Sequence, residues 1–372
     1  MEKKIYQKLF REITLIFALT AMTLSLIVWI LQAVNFLDII SEDGHSILTY
    51  FQFSLLNIPK ILSKIIPLSF FLSLFYVLVS YDEKNQLLIY WSNGISKKNF
   101  LNKVFTFSFL ILFFSIILSF FVVPFTQNEA RSYIRNSSLD FFPSLIKPRQ
   151  FIDTVENLTI FIDSKKKDRI KNIILKDSRN SKNIQLITAK EGKIINEADE
   201  KYLILYDGKI INSGSNKNST IFNFKETNFN LDKFKTKTTT YPKIQEINSF
   251  KIIDCLINLN QNIDKKYEDL KCSEGISNSL RKELYKRVYL PLYIPIISII
   301  SVFLILNTHS NYKYKRSKAK IFTVGIFFLI LSQVSVNFIS EQMIINLITL
   351  SIVPLSIIIL FSFFNLTMRS SS

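Results

Sequence analysis

The run VYLPLYIPIISIISVFLILN, residues 288–307, holds twenty consecutive positions without an acidic or basic side chain. About 20 apolar residues is the length that carries an α-helix across a hydrocarbon core of about 30 Å. A soluble fold has little use for more than one such run, yet this chain repeats it. Downstream lie Ile321–Ile339 and Met343–Phe364; upstream lie Ile13–Leu37, Leu55–Ser80 and Val104–Thr126. Pro59, Pro67, Pro291, Pro295 and Pro354 fall in or near these runs. In water they would count against helices; in a membrane bundle, neighbouring helices and waters satisfy the backbone groups that proline leaves free.

Between the third and fourth runs the composition changes. Residues 12–126 and 288–366 are dominated by Ile, Leu, Phe, Val and Ser, whereas 127–287 holds most of the charge. The expected fold is therefore an α-helical membrane protein with six transmembrane helices in a three-plus-three arrangement and an inserted all-β domain. The expected division is 1–126 (spans one to three), 127–287 (the inserted domain with a helical linker) and 288–372 (spans four to six). The first run is about twice the length of a signal-peptide core and has no persuasive small-x-small cleavage site, so it is expected to stay in the membrane.

A net charge of +17 invites a nucleic-acid reading, but the positions of the charges oppose it. Lys3, Lys4, Lys8 and Arg11 precede the first span, and Lys313, Lys315, Arg316, Lys318 and Lys320 fill the loop between the fourth and fifth. The positive-inside rule puts both segments, and both termini, in the cytoplasm. The loop after span one carries Glu42 and Asp43 without Lys or Arg, and the connection near Glu341 is also free of basic residues. These are expected outside. The lysine-rich insert follows by parity, which large domains tolerate because they cross largely regardless of charge.

Within the insert, short alternating runs separated by turn formers read as antiparallel strands: Leu158–Ile162, Ile170–Leu175, Ile184–Thr188, Lys201–Tyr206, Lys209–Asn212 and Thr220–Phe224. Asp207-Gly208 fits a tight hairpin turn between the fourth and fifth of these. Ser249–Leu259 and Ser277–Tyr289 read as helices leading back to the membrane. Cys255 and Cys272, the two cysteines of the chain, leave both a disulfide and a pair of thiols open. With two histidines and no carboxylate cluster at ligand spacing, neither a metal nor a catalytic triad nor a cofactor is suggested.

Asp82–Lys103 is the inner loop that mixes charge with apolar residues. Glu83–Trp91 fits a short helix capped by Asp82 and stopped at Asn93-Gly94, with Leu87, Leu88, Tyr90 and Trp91 facing water. Such a helix either docks in a groove of a cytoplasmic partner or lies on the lipid surface. The seven glycines contain no G-x-x-x-x-G-K-[ST] phosphate loop, so nucleotide energy would come from another subunit.

Taken with Tyr6–Glu12, Ile58–Pro67, Gln86–Ser96, Pro148–Phe161 and Glu283–Pro291, this layout resembles the LptF/LptG permease family of Gram-negative lipopolysaccharide export over nearly the whole chain. Phe10-Arg11-Glu12 favours the LptF branch. The resemblance implies a multi-pass protein of the bacterial inner membrane with a periplasmic β-jellyroll. It implies lipopolysaccharide as cargo and, as partners, a cytoplasmic ATPase dimer (LptB-like), a second permease subunit (LptG-like) and periplasmic jellyroll proteins (LptC-like and LptA-like). The permease itself would be no enzyme. The family's inner-helix pattern, a Glu, then apolar residues with an Arg, then Ala-x-Gly-Ile-Ser, appears here with Gln86, Trp91 and Ser92 at the Glu, Arg and Ala positions. Gly94-Ile95-Ser96 is kept, so Gln86, Leu87, Tyr90, Trp91, Asn93 and Gly94 become the candidate ATPase-coupling residues.

A cargo with an anionic headgroup needs cations at the outer rim. Lys60 and Lys64, at i and i+4 on one helix face, and Lys286 and Arg287 on span four are the candidates, with snorkelling anchors as the alternative. Gln32 and Asn35 on span one and Gln333 and Asn337 on span five either line the cavity and gate or hydrogen-bond between helices. Two other function classes fit the sequence less well. A receptor with an external β sensor lacks an inner segment long enough for an output domain, and a mechanotransmission permease would have one span, a domain, then three.

Overall fold

The computed structural model describes residues 2–37, 47–136, 148–155, 157–166, 169–179, 183–197, 200–214, 219–230, 243–260, 266–267, 270–272, 274–306, 314–340 and 342–371. Glu42, Asp43, Lys313 and Glu341 lie outside them. The helices are α1 (Glu2–Asn35), α2 (Ile47–Leu56), α3 (Ile58–Glu83), α4 (Leu87–Ser92), α5 (Lys97–Ile117), α6 (Val123–Asn136), α7 (Ser249–Asn260), α8 (Glu274–Val288), α9 (Tyr293–Val302), α10 (Tyr314–Ser335) and α11 (Met343–Ser371). A π-helical turn, Leu118–Val122, joins α5 to α6, and a 3-10 turn, Leu290–Leu292, joins α8 to α9.

Among the described residues, six helical stretches are long and apolar enough to cross a membrane: Glu2–Asn35, Ile47–Glu83, Lys97–Ile134, Gly275–Leu306, Tyr314–Phe338 and Ile344–Met368. Each contains most of one of the apolar runs and several extend well beyond them. Helical hydrogen bonds are closed within the segment, so the coil continues past the hydrocarbon boundary wherever nothing breaks it. The prolines sit mostly where they cost least. Pro59 opens α3, Pro291 lies in the 3-10 turn and Pro295 is in the first turn of α9, where backbone N–H groups have no intrahelical partner anyway; Pro67 and Pro354 are interior.

The chain divides into two compact units, one of residues 1–30, 57–128 and 243–372 and the other of residues 31–56 and 129–242. In the first, span four is the axis. Its most apolar window is 83% buried, against 11% for span six, and its helix α9 touches spans two, three, five and six. A helix apolar on every side belongs in the middle of a bundle, and Ile294, Ile296, Ile297, Ile299 and Ile300 make α9 one. The outer helices instead leave large apolar side chains such as Leu19, Phe113, Phe327 and Ile358 exposed. In water this would be a liability; facing acyl chains it is the expected surface.

The second unit contains a six-stranded antiparallel sheet: β1 (Phe151–Val155), β2 (Leu158–Lys166), β3 (Arg169–Asp177), β4 (Asn183–Glu197), β5 (Glu200–Gly214) and β6 (Ser219–Asn230), neighbours in space in chain order. The two short runs expected on either side of Asp207-Gly208 are one strand, not a hairpin. β5 keeps a single register through that point, pairing Tyr206 with Glu191 and Gly208 with Ala189 on one side, and the same residues with Glu226 and Phe224 on the other. What Asp207 contributes is a crease. Its φ is 48°, and the inward-facing set passes from Leu203 and Leu205 to Gly208 and Ile210. In β3 the same step occurs at Asn172 (φ 50°), between Ile170 and Ile173. Both halves of the sheet thereby face one apolar cluster, which includes Ile170, Leu203 and Leu205 with Ile160, Leu175 and Ile187. Asp and Asn tolerate this left-handed conformation better than most residues. Gly208 is needed for space, since a Cβ there would lie 2.2 Å from the Thr188 carbonyl oxygen and 2.3 Å from the Phe224 ring.

After the sheet, α7 and α8 form as expected from the sequence. Of the two states left open for Cys255 and Cys272, the structure has the disulfide. It ties α7 to the segment ahead of α8 within a small buried cluster that includes Ile247, Ile252 and Leu280. A two-residue pair of strands, β7 (Lys266–Tyr267) and β8 (Leu270–Lys271), lies between.

Candidate functional site

Lys60 and Lys64 stand one turn apart on α3, on the face turned toward the start of span four. There α8 brings Lys286 and Arg287, so the four cations selected from sequence line one cavity of about 200 Å³. Its walls add Ser63, Ser119, Gln245 and Gln333 as polar groups and Pro67, Leu290 and Pro291 as apolar ones. Glu283 is the acid in the lining, so the cavity carries a clear excess of positive charge. Chemically it suits a phosphate or carboxylate presented beside apolar chains.

The four cations are not equivalent. Arg287 is 2% exposed and its guanidinium is committed. Nε donates to Glu283 Oε1 at 3.2 Å, one terminal nitrogen to the Ile247 carbonyl and Ser249 Oγ, both at 2.8 Å, and the other to the carbonyls of Ile244 and Gln245 at 3.3 and 3.1 Å. The planar fork, with five N–H donors, matches this ring of acceptors, and that is how a charge is tolerated there. Arg287 thus clamps the chain at residues 244–249 to span four. Ser119 Oγ adds a bond to the Arg287 carbonyl at 2.6 Å. Lys60 is half-buried and donates to Gln127 Oε1 at 3.3 Å, while Gln127 Nε2 donates to Asn57 Oδ1 at 3.0 Å. Lys64 and Lys286 are exposed.

Sequence reading missed Asn57, Gln127 and Gln245. Gln127 gave the same signal as Gln32 and Gln333, an amide at the end of an apolar run, and could have been found by it. Of the cavity and gate candidates, Gln333 is in the lining. Asn337 is exposed one turn further along span five; Gln32 is half-buried and Asn35 exposed, in the unit that holds the sheet.

At the other end of the helical unit, α4 is shorter than expected and Asp82 does not cap it. Asp82 is buried within the last turn of α3. That helix ends because Asn85 takes φ 55°, with Gln86 N–H donating to the Tyr81 carbonyl (2.8 Å) and Asn85 N–H to that of Asp82 (3.0 Å). The same double bond pattern recurs at the end of α4, where Gly94 has φ 76°, Ile95 N–H reaches the Tyr90 carbonyl and Gly94 N–H that of Trp91, both at 3.1 Å. Both are Schellman endings, which need a residue at ease in the left-handed region. Ser96 then caps span three, accepting from Asn99 N–H at 3.2 Å.

Two stops, at Asn85 and Gly94, bracket the six residues of α4 and decide its faces. Leu87 and Tyr90, expected in water, are core residues at 4% and 2% exposure. The Tyr90 hydroxyl donates to the Ile5 carbonyl at 3.3 Å, and its ring packs on Tyr6 and Phe100. Burial, with Tyr6 and Glu12 nearby, pushes the phenol above its ordinary range and keeps it a donor. Trp91 is half-buried on Phe100. Leu88 and Ile89, at 56% and 51%, are the apolar residues left outside, beside Asn93 and Gly94. Gln86 stands just before the first residue of the helix, without a side-chain cap. Lys318 of span five pairs with Glu83 at 2.6 Å just behind it.

Among the described residues no group of three or more His, Cys, Asp or Glu is placed to hold a metal ion. In sequence the chain is similar to the uncharacterized protein RP871 of Rickettsia prowazekii (strain Madrid E), 23% identical over 192 residues, which is 51% of this chain and 53% of that one. The stretch compared is thus about half of either protein. A family model reaches much further: that of the lipopolysaccharide export system permeases LptF/LptG, which takes in both branches, matches residues 7–369. Six spans, an antiparallel sheet domain inserted between the third and fourth, and a match over nearly the whole length agree, and the chain belongs to the LptF/LptG permease family.

Proposed function

We propose that this chain is an LptF-type permease subunit of an ABC-type complex of the bacterial inner membrane. It takes lipopolysaccharide from that membrane and passes it to periplasmic partners for delivery to the outer membrane. A second, LptG-like permease completes the cavity, with a lateral gate between spans one and five, and an LptB-like ATPase dimer supplies the energy. LptC-like and LptA-like jellyroll proteins receive the lipid from the β domain. The basic residues of the N-terminal segment and of the loop before span five support cytoplasmic termini and an external β domain.

The observation that carries the proposal is the convergence of Lys60, Lys64 and Lys286 on one cavity whose wall also includes the apolar Pro67, Leu290 and Pro291. An acylated, phosphorylated lipid has both halves of that chemistry. Arg287 belongs to the same cavity as its frame, with its donors already used. At the opposite end, Leu88 and Ile89 with Asn93 and Gly94 form a small, rigidly backed apolar tip suited to a groove on the ATPase. Because Gln86 and Trp91 are uncharged, docking there is apolar and does not rest on an ion pair.

Replacing Lys60 and Lys64 together by Glu tests the cavity. The complex should still assemble, and photocrosslinking of lipopolysaccharide at Ser63 should fall several-fold; undiminished crosslinking would remove these lysines from the headgroup site. Purification from the native membrane should also bring down an ATPase and bound lipopolysaccharide. An effector kinase in place of the ATPase would overturn the transport reading altogether.

A further inference from the structure

Helix α7 has a wider apolar sector than the protein covers. At 3.6 residues per turn, Ile252, Cys255, Leu256 and Leu259 point into the cluster around the disulfide. Lys251, Asp254 and Asn258 form a polar arc. Phe250, Ile253 and Ile257 make a third arc, and Phe250 and Ile257 on it are 60% and 50% exposed. A helix on a water-facing protein surface has one apolar stripe and one polar face. This one has its protein-facing stripe and then a second apolar face.

That second face is continuous with a surface already read as lipid-facing. The Phe250 ring packs on Phe120 at 5.5 Å and Phe121 at 6.0 Å, at the end of span three that leads on to the β domain. Phe121 and Phe125 are themselves exposed, and from them an exposed apolar stripe runs back along span three through Ile117, Phe113 and Leu110. The junction is fixed in place. Ser249 Oγ donates to the Phe120 carbonyl at 2.6 Å, where the π-helical turn disturbs the regular ladder, and Arg287 donates to the same Ser249 oxygen. The Cys255–Cys272 bond holds the helix from the opposite side.

We infer that α7 is an interfacial membrane helix, lying in the headgroup boundary with Phe250, Ile253 and Ile257 toward the acyl chains and Lys251 and Asp254 toward water. Phe250 with Ile253 and Ile257 on one face, and Lys251 with Asp254 on another, suit such a helix. Its role would be to fix the depth at which the chain leaving the β domain re-enters span four. The assignment concerns the bilayer and stands or falls independently of what cargo the permease carries.

The test uses the full-length chain in lipid nanodiscs, with nitroxide labels placed singly through Phe250→Cys, Ile257→Cys and Lys251→Cys; the native cysteines are paired and buried. Power saturation with oxygen, which concentrates in the bilayer, and with a water-soluble nickel chelate reads the environment of each label. The ratio of oxygen to chelate accessibility should be several-fold higher at 250 and 257 than at 251. If label 257 is as open to the chelate as label 251, the face looks into water and the inference fails. If labels 250 and 257 are closed to both reagents, a protein partner covers the face and the inference fails as well. The label at 257 stands two turns along the helix from Phe250, so it reports even where change at Phe250 disturbs Phe120 and Phe121.

Discussion

The two ends of the helical unit each contain a pair of adjacent residues of like chemistry whose members have opposite fates. At one end Lys286 is exposed on the cavity rim while Arg287 is sealed in a ring of carbonyls; at the other, Leu88 projects outward while Leu87 is packed in the core. Adjacent positions on a helix lie about 100° apart, which is enough to turn one side chain to a ligand and its neighbour to the frame. Residue type and neighbourhood in the chain are therefore weak guides to role at these sites, and the contrast within each pair is what mutation should expose.

The larger contrast is expected at the cations. Arg287→Ala leaves Glu283 and several carbonyls buried without their donor, and removing one partner of a buried pair costs about 3–5 kcal/mol. Unfolding in mixed micelles should show that loss, whereas Lys286→Ala should fall within about 0.5 kcal/mol of the parent, as exposed substitutions do. If the two variants unfold alike, the clamp assigned to Arg287 is wrong.

The leucine pair should divide more gently and along a different axis. Leu87→Ala opens a cavity under α4 and should cost about 2–5 kcal/mol. Leu88→Asp, on the exposed side, should leave stability nearly unchanged while stimulation of the proposed ATPase partner falls about tenfold, measured in proteoliposomes. A Leu88→Asp protein that still stimulates hydrolysis would remove the tip of α4 from the coupling surface.

The membrane architecture was legible because it rests on length and composition: a run of twenty uncharged residues reads the same in any context, and so does the shift to alternating strands. The residues around the cavity were legible in part, since Lys60 and Lys64 announce a common face by spacing alone. What the sequence could not reveal was which donors were already spent. Apart from Glu283 one turn before it, nothing local distinguishes Arg287 from Lys286, because its other acceptors come from residues 244–249, some 40 positions away. The Asp207-Gly208 turn failed for a related reason. A dipeptide at ease with positive φ makes a hairpin or a crease depending on whether strands flank it on both sides, and β4 and β6 do.

The smallest effect expected is at Asn85, and it separates two accounts of where span two ends. If a side-chain cap at Asp82 started α4, Asn85 would be an ordinary helical residue and Ala would be as good or better there. Instead its φ of 55° closes the Schellman ending of α3, where a Cβ costs roughly 1–2 kcal/mol that Asn partly recovers and Gly avoids. Asn85→Gly should be neutral to slightly stabilising in micelle unfolding, and Asn85→Ala should lose about 1 kcal/mol. The loss should also soften the rigid backing of α4, so Asn85→Ala is expected to lower ATPase stimulation modestly while Asn85→Gly preserves it. The reverse order would mean that the helix runs on through Lys84 and Gln86 and that the exposed face of Leu88 and Ile89 is set by something other than the two stops.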